Sequence, residues 1–403
     1  MTHQVVAIGD VHLRAGHSRN AARLKALDDI IAEGLALPNL GAWLQLGDVF
    51  DGKSSVADRN DLAPRLQRMA NAAPVLITSG NHDVPGDLDV FGRLEAHHTI
   101  RVYKGPDVVR IVMASGATLA AALIPYPSKG GLIAAGSSAD ETLQTGGDCL
   151  NDVLRDLGAS LADERASGRP AIVAGHLNIG GALTSSGQPS IGREIEIAPA
   201  ALRLLGDVPI VFGHIHAPQE IGGAFYAGSI TANNWGEREA KRFLIVEFDD
   251  AALTYTVSSR PIDTAPMVHV DGRLTRDGFA SDSPDDLPAS WLGAEVRVRY
   301  SFAASERNVL DHSLVRIPFE GALRLEVEPV AVPDRALRAP EVAAARTLAE
   351  KVRAWAGLTG AAVTDGILAK LAALEHGDAT GVLSTVANQV AALETAENVE
   401  RAA

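Results

Sequence analysis

Residues 211–219 read VFGHIHAPQ, and the apolar run Val208–Phe212 leads straight into Gly213, His214, Ile215 and His216. In an extended segment residues i and i+2 point the same way, so His214 and His216 can face one spot together. A polar loop with two solvated imidazoles would give the same string. The reading therefore turns on what the other strand ends of the chain carry.

Working outward, the same arrangement recurs. The apolar run Val5–Ile8 gives way to GDVH, with Asp10 and His12. Ala42–Leu46 gives way to GDVFD, with Asp48 and, three residues on, Asp51. Pro74–Thr78 is followed by SGNHD, with Asn81, His82 and Asp83, and Ala171–Ala174 by Gly175 and His176. Between these runs lie stretches of helical periodicity. Leu24, Leu27 and Ile31 mark one over residues 20–34, and Leu62, Leu66 and Met69 another over 58–72. Leu150, Val153, Leu157 and Leu161 mark a third over 148–166. Short strands alternating with helices predict an α/β fold. A β-rich stretch at 100–124 and late strands at 225–227, 243–248 and 253–257 predict two packed sheets, a two-sheet α/β sandwich. Ligands of such sheets collect at the carboxyl ends of the strands. Five ends delivering Asp, His and Asn should then meet in one cleft, which gives the paired histidines their purpose.

Past Arg260-Pro261 the pattern changes. Residues 262–292 are rich in Asp, Pro, Ser and Gly and carry little periodicity. The alternating runs 295–300 and 323–328 read as half-buried strands of a small α+β domain, 261–335. The tail, 336–403, reads as helical, with stripes at Ala345, Leu348, Val352 and Trp355, at Ile367, Leu371 and Leu374, and at Val382, Val386, Val390 and Leu393. The first domain spans residues 1–260.

Bulk properties narrow the field. The apolar content of 46% and charged content of 21% are those of a soluble globular protein. A single cysteine, Cys149, excludes a disulfide within the chain and fits a reducing, cytoplasmic setting. No apolar run approaches a membrane span. The formal net charge of −14, with no long basic block, argues against holding nucleic acid by bulk electrostatics.

Imidazole, carboxylate and one amide suit Mn, Fe or Zn better than the all-oxygen shell of Mg or Ca. One carboxylate can bridge two such ions roughly 3.5–4 Å apart. Two divalent ions against Asp10 and Asp48 leave an excess of about two positive charges, which favours an anionic phosphate ester. His3, His17, His97, His98, His269, His312 and His376 fall outside the pattern and read as ordinary histidines. Arg238 and Lys241 stand in a charged turn, where DNA contact and plain solvation are both open.

The ordered set GDVH, GDVFD, GNHD, GH and GHIH, over roughly residues 5–220, resembles the calcineurin-like metallophosphoesterases. More narrowly, GHIHAPQ with the later run YAGSITANNWGEREAKRFLIVEFD is similar to the SbcD-type nucleases. The resemblance implies that Asp10, His12 and His216 hold one metal and Asn81, His176 and His214 the other, bridged by Asp48. It implies that His82 is not a ligand and faces the scissile phosphate. A departing 3′ oxygen needs a proton there, which makes His82 the candidate catalytic acid. Asp83 reads as an acceptor that orients a neighbour, with a ligand role as the alternative, and Asp51 as a supporting group. The activity implied is an exonuclease or endonuclease acting on DNA in double-strand-break repair and recombination. The implied cofactors are two divalent ions, Mn first, with Fe, Zn or Mg as alternatives. The implied partners are DNA and an SbcC-type coiled-coil ATPase, with a homodimer inside a heterotetramer. A capping domain then corresponds to 261–335 and an ATPase-binding tail to 336–403. Two other functions compete: a stand-alone phosphodiesterase for small nucleotides or lipids, and a non-catalytic scaffold. Residues 261–403 count against the first, and the complete ligand set against the second.

Overall fold

The computed structural model describes residues 2–127, 139–185, 194–237, 239–249, 252–288, 290–333, 339–376 and the single positions 381 and 384. The chain divides into two compact units, Met1–Ser301 with Leu310–Val330, and Phe302–Val309 with Ala331–Ala403.

The strands of the first unit run β1 (Thr2–Ile8), β2 (Leu40–Gln45), β3 (Val75–Thr78), β4 (Ile100–Tyr103), β5 (Asp107–Val112), β6 (Thr118–Ile124) and β7 (Ala171–His176). They continue with β8 (Asn178–Ile179), β9 (Glu196–Ile197), β10 (Ile210–Gly213), β11 (Gln219–Ile221), β12 (Ala224–Tyr226), β13 (Arg242–Asp249) and β14 (Thr254–Pro261). Two six-stranded sheets result, in the orders β14-β13-β1-β2-β3-β4 and β11-β12-β10-β7-β6-β5. In the first sheet β1 to β4 are parallel. In the second, β6, β7, β10 and β12 are parallel. The antiparallel strands lie at the outer edges.

Alternation along each strand builds the layers. In β1, Val5 and Ala7 face the second sheet, where they join Leu44, Leu123, Ala174 and Val211 in one buried cluster. Val6 and Ile8 face the other way, onto Leu27, Ile30 and Ile31 of helix Asn20–Leu35 and Leu62, Leu66 and Met69 of helix Val56–Ala72. The second sheet turns Ala122, Ile124, Val173 and Phe212 onto Leu150, Leu154, Leu157 and Leu161 of helix Ala139–Ala166. Helix, sheet, sheet and helix follow in layers, the two-sheet α/β sandwich that the sequence predicts. Leu154, rather than Val153, fills the buried stripe of the third helix. Cys149 is exposed on this helix. The second helix begins at Val56 because Ser55 caps it: the Ser55 Oγ accepts from Asp58 N at 3.1 Å and Asp58 Oδ2 accepts from Ser55 N at 2.7 Å.

Residues 262–292 hold regular strands despite their weak periodicity. β15 (Met267–Thr275) and β16 (Gly278–Ser281) form a hairpin, and β15 also pairs in parallel with β17 (Glu295–Ala303). With β18 (Arg324–Val332) they make a four-stranded sheet. Polar residues on the open face of β15, such as Asp271 and Arg273, mask the alternation of Val270, Gly272 and Leu274 toward the interior. In the second unit the tail forms helices Pro340–Ala344, Leu348–Thr359 and Asp365–His376. Ala345, expected in the first stripe, lies in the break before the Thr347 cap. The third expected stripe, Val382, Val386, Val390 and Leu393, lies outside the described residues.

Helix Asn20–Leu35 offers a test of how tightly the outer layer packs. A methyl on Gly34 would overlap the ring of the fully buried Trp43. Gly→Ala inside a helix ordinarily stabilises by about 0.5–1 kcal/mol. Forcing a methyl into a filled core costs about 1–3 kcal/mol. Gly34→Ala should therefore lower stability in a urea titration; an unchanged or raised midpoint would mean that the Trp43 ring yields freely.

Candidate metal centre

The parallel strands of both sheets end on one edge, and their last residues and following loops carry the polar side chains singled out in the sequence. β1 leads to Asp10 and His12, β2 to Asp48, β3 to Asn81, His82 and Asp83, β7 ends on His176, and β10 leads to His214 and His216. The loops are tied together by main-chain bonds: Val11 N and His12 N both donate to the Asp48 carbonyl, at 3.0 and 2.9 Å. The backbone is forced here. His12, Asp48 and His214 have φ of 53°, 51° and 97°, and among the described residues Leu253 alone of the other non-glycines shares that region. Such conformations cost about 1–3 kcal/mol each and persist where their surroundings impose them. Gly80 answers a different demand, since a side chain there would overlap the Asp48 carboxylate.

The side chains converge. Donor atoms of Asp10, His12 and His216 lie within 4.8 Å of one another, as do those of Asp10, Asp48 and His176, and of His12, Asp48 and His82. His12 Nε2 is 3.1 Å from His216 Nε2. Asn81 Oδ1 is 3.0 Å from both His176 Nε2 and His214 Nδ1. Asp48 stands between these groups, with Oδ2 3.4 Å from His176 Nε2 and 3.7 Å from His12 Nε2. Asp10 is 1% exposed; its Oδ1 accepts from His214 N at 2.9 Å, and its buried Oδ2 has no hydrogen-bond partner among the described residues. A buried carboxylate oxygen left bare costs several kcal/mol in an apolar setting unless a cation meets it. Two nitrogens bound to one ion at about 2.0–2.1 Å stand about 3 Å apart, the spacing that His12 and His216 already hold. The residues fit a metal centre, and its donor set is one of nitrogen and oxygen.

Burial and charge set the protonation of the rings. Burial holds the His12 pKa down at about 4, against the pull of Asp48. Burial also works against a charge on His176, but Asp48 and Asp10 outweigh it and hold that ring up at about 9. Burial works to raise Asp48 as well, yet its contacts with His176 and His12 keep its carboxyl well below the usual range. His176 Nδ1 is 2.7 Å from the Leu46 carbonyl, which fixes Nδ1 as the donor and turns Nε2 to the cluster.

The supporting carboxylates differ in kind. Asp83 is buried and accepts from Gly80 N at 2.9 Å and Phe50 N at 3.0 Å, so it joins two of the ligand loops. Burial and the nearby Asp48 push it up to about 6. Asp51 Oδ1 lies 3.4 Å from His82 Nδ1 and 3.9 Å from His12 Nδ1. His82 is 43% exposed at its side chain, edge-on to His12 with ring centroids 4.9 Å apart. Its nitrogen belongs to the same close set as His12 and Asp48, so proximity does not separate it from the metal-binding candidates as the sequence reading does.

Several neighbours are absent from the sequence reading. Glu237, 3% exposed, faces His216 Nδ1 at 3.1 Å and Lys241 Nζ at 2.6 Å. Glu194 Oε2 is 2.8 Å from His214 Nε2. Tyr126 lies with its ring 5.4 Å from that of His214, and burial pushes its hydroxyl up to about 12. Tyr126 was discoverable, because β6 is parallel to β7 and its chain leaves the sheet on the same edge. Lys241 corrects an expectation: at 2% exposure, neither solvent nor DNA reaches it. Arg238 lies outside the described residues.

Metal uptake should release protons near pH 7. His176 carries its extra proton below about pH 9 and must lose it to offer Nε2 to a cation, so affinity should rise with pH toward 9. Calorimetry of Mn(II) binding in buffers of different ionisation enthalpy measures the release. Heat independent of the buffer would show His176 to be neutral beforehand.

Residues 3–218 match the profile of a family described as calcineurin-like phosphoesterase. No curated protein matches the chain. A crystal structure of TT1561 of Thermus thermophilus is similar at 10% identity and a TM-score of 0.37, over 64% of this chain and 99% of that one. The profile takes in more than half of the sequence, including every residue of the convergent cluster from Asp10 to His216, and the chain belongs to the calcineurin-like phosphoesterases, hydrolases that depend on divalent metals.

Proposed function

We propose that the chain is a two-metal phosphodiesterase that cleaves DNA, the nuclease partner of an SbcC-type coiled-coil ATPase in double-strand-break processing. Asp10, His12 and His216 would hold one ion, Asn81, His176 and His214 the other, and Asp48 both. Divalent ions bound there, Mn(II) first among them, supply Lewis acidity and a nucleophile at neutral pH. The chain's own contribution is to the leaving group. The departing 3′ oxygen is a poor leaving group until protonated, and a free imidazole near its pKa of about 6.5 carries a proton at neutral pH. Asp51 faces His82 Nδ1, which leaves Nε2 to deliver that proton.

The observation that carries the reading is the graded exposure of the cluster. Asp10, His12, Asp48 and His176 are buried, while Asn81 and His82 face solvent. A phosphodiester in the middle of a long polymer can lie across such a rim, where an enclosed cavity would admit only a small molecule. The run 226–249 that resembles SbcD-type nucleases also supplies Glu237 behind His216, which supports the narrower assignment. In the second unit Trp355 and Leu358 are each 54% exposed on helix Leu348–Thr359, in keeping with a tail, 336–403, that binds a partner helix. Residues 261–335 would cap the DNA. No helix among the described residues is long and apolar enough to cross a membrane.

Digestion of linear duplex DNA with Mn(II), beside a cyclic nucleotide and a lipid phosphodiester, tests the substrate class. Cleavage of the small esters alone would sink the nuclease reading. His82→Asn should keep both metals and lose about 10²–10⁴-fold in DNA cleavage, with a much smaller loss on a nitrophenyl phosphodiester, whose leaving group needs no proton. Equal losses on both substrates would remove His82 from that role. Asp48→Ala should empty both positions, and a variant that still retains two equivalents of Mn(II) would show that Asp48 does not bridge.

A further inference from the structure

Glu237 and Lys241 lie on the excursion between β12 and β13, away from every strand end that carries a candidate ligand. We propose that Glu237 is a positioning residue for His216, and that Lys241 dictates which face of Glu237 that histidine meets. Together they decide whether His216 offers the cluster a lone pair or a proton. The proposal rests on reading the cluster as a metal centre.

The argument is one of donors and acceptors. Glu237 Oε1 lies 3.1 Å from His216 Nδ1 and 2.8 Å from Asn234 Nδ2, and Oε2 lies 2.6 Å from Lys241 Nζ. A carboxylate only accepts and an ammonium only donates. The Asn234 amide cannot turn, because its Oδ1 accepts from Gly236 N at 2.8 Å. Lys241 cannot turn away either: Nζ also donates to Ser229 Oγ at 3.0 Å and Glu239 Oε1 at 2.8 Å, and Ser229 Oγ donates onward to the Thr231 carbonyl at 2.9 Å. Both oxygens of Glu237 are therefore required as acceptors. Asn233 Nδ2 also stands by His216 Nδ1, but at 3.4 Å it is farther off than Glu237 Oε1 at 3.1 Å. The nearer, charged acceptor sets the ring, so the neutral His216 carries its hydrogen on Nδ1 and leaves the Nε2 lone pair facing His12 and Asp10.

Glutamine at 237 has the same shape but one oxygen. The charged and anchored Lys241 would claim that oxygen, so the amide NH2 would face His216 Nδ1. The imidazole hydrogen would then sit on Nε2 and close the lone pair. With methionine at 241 that demand disappears, and the Gln oxygen is free to turn back to His216 and Asn234.

Three proteins are compared: wild type, Glu237→Gln, and Glu237→Gln with Lys241→Met. Mn(II) is measured per chain by equilibrium dialysis, and the His216 tautomer by nitrogen-15 spectra of the neutral ring in metal-free protein. Glu237→Gln should weaken one of the two Mn(II) positions by about 10–100-fold and move the hydrogen to Nε2. The double variant should restore both readouts, which a merely structural role for Glu237 would not allow, since each change removes a buried contact. Wild-type Mn(II) binding and an unmoved tautomer in Glu237→Gln would overturn the proposal, as would a double variant no better than the single one. Wild type that takes up no Mn(II) would overturn the metal-centre reading and the proposal with it. Because the tautomer is read without metal, the two failures are distinguishable.

Discussion

The structure depends on one electrostatic constraint: Asp10 and Asp48 are almost wholly removed from water within a few ångströms of each other. Like charges this close, in a setting that solvates neither, raise the free energy of the fold unless positive charge is placed among them. In the protein alone His176 answers part of that demand, through its contacts with both carboxylates. Asp10 Oδ2, without a hydrogen-bond partner among the described residues, shows that the answer is incomplete. The left-handed backbone at His12 and Asp48, the missing side chain at Gly80 and the paired amides on the Asp48 carbonyl all serve to hold the carboxylates in place against that repulsion.

Both sheets are needed to meet the constraint. Asp10, His12, Asp48 and Asn81 come from the first sheet, while His176, His214 and His216 come from the second. The faces between them are filled by small and branched side chains, Val5, Ala7, Ala121 and Ala174 among them, which bring the two carboxyl edges close. Packing and chemistry are thus coupled: widening that layer would separate the ligands at its edge.

The sandwich and the cluster were legible in the sequence because both follow from local rules. Apolar runs of strand length mark the buried strands, and parallel strands deliver their next residues to a common edge. The roles of Glu237 and Lys241 were not legible, since neither follows a ligand-bearing strand, and Glu237 reaches His216, with Lys241 behind it, only because the chain crosses back from the second sheet to the first through that loop. The same limit applies to Glu194, which meets His214 from the run before β9. The hairpin of β15 and β16 was missed for another reason. One of its faces is polar and its turn, Arg276-Asp277-Gly278, blends into a stretch already rich in Asp and Gly.

The division of the ligands between two sheets has a mechanical consequence. Neither triad of donor groups lies within one sheet: Asp10 and His12 face His216 across the seam, and Asn81 faces His176 and His214 across it. An ion gripped by either triad would act as a rivet between the two halves, adding to the few hydrogen bonds that already cross that edge, such as His214 N to Asp10 Oδ1 and His176 Nδ1 to the Leu46 carbonyl. Free energy of binding would then appear as resistance of the seam to opening, by the ordinary linkage between ligand binding and folding. The mouth of the seam, rather than the outer helices, would be where the metal-free protein first lets water in.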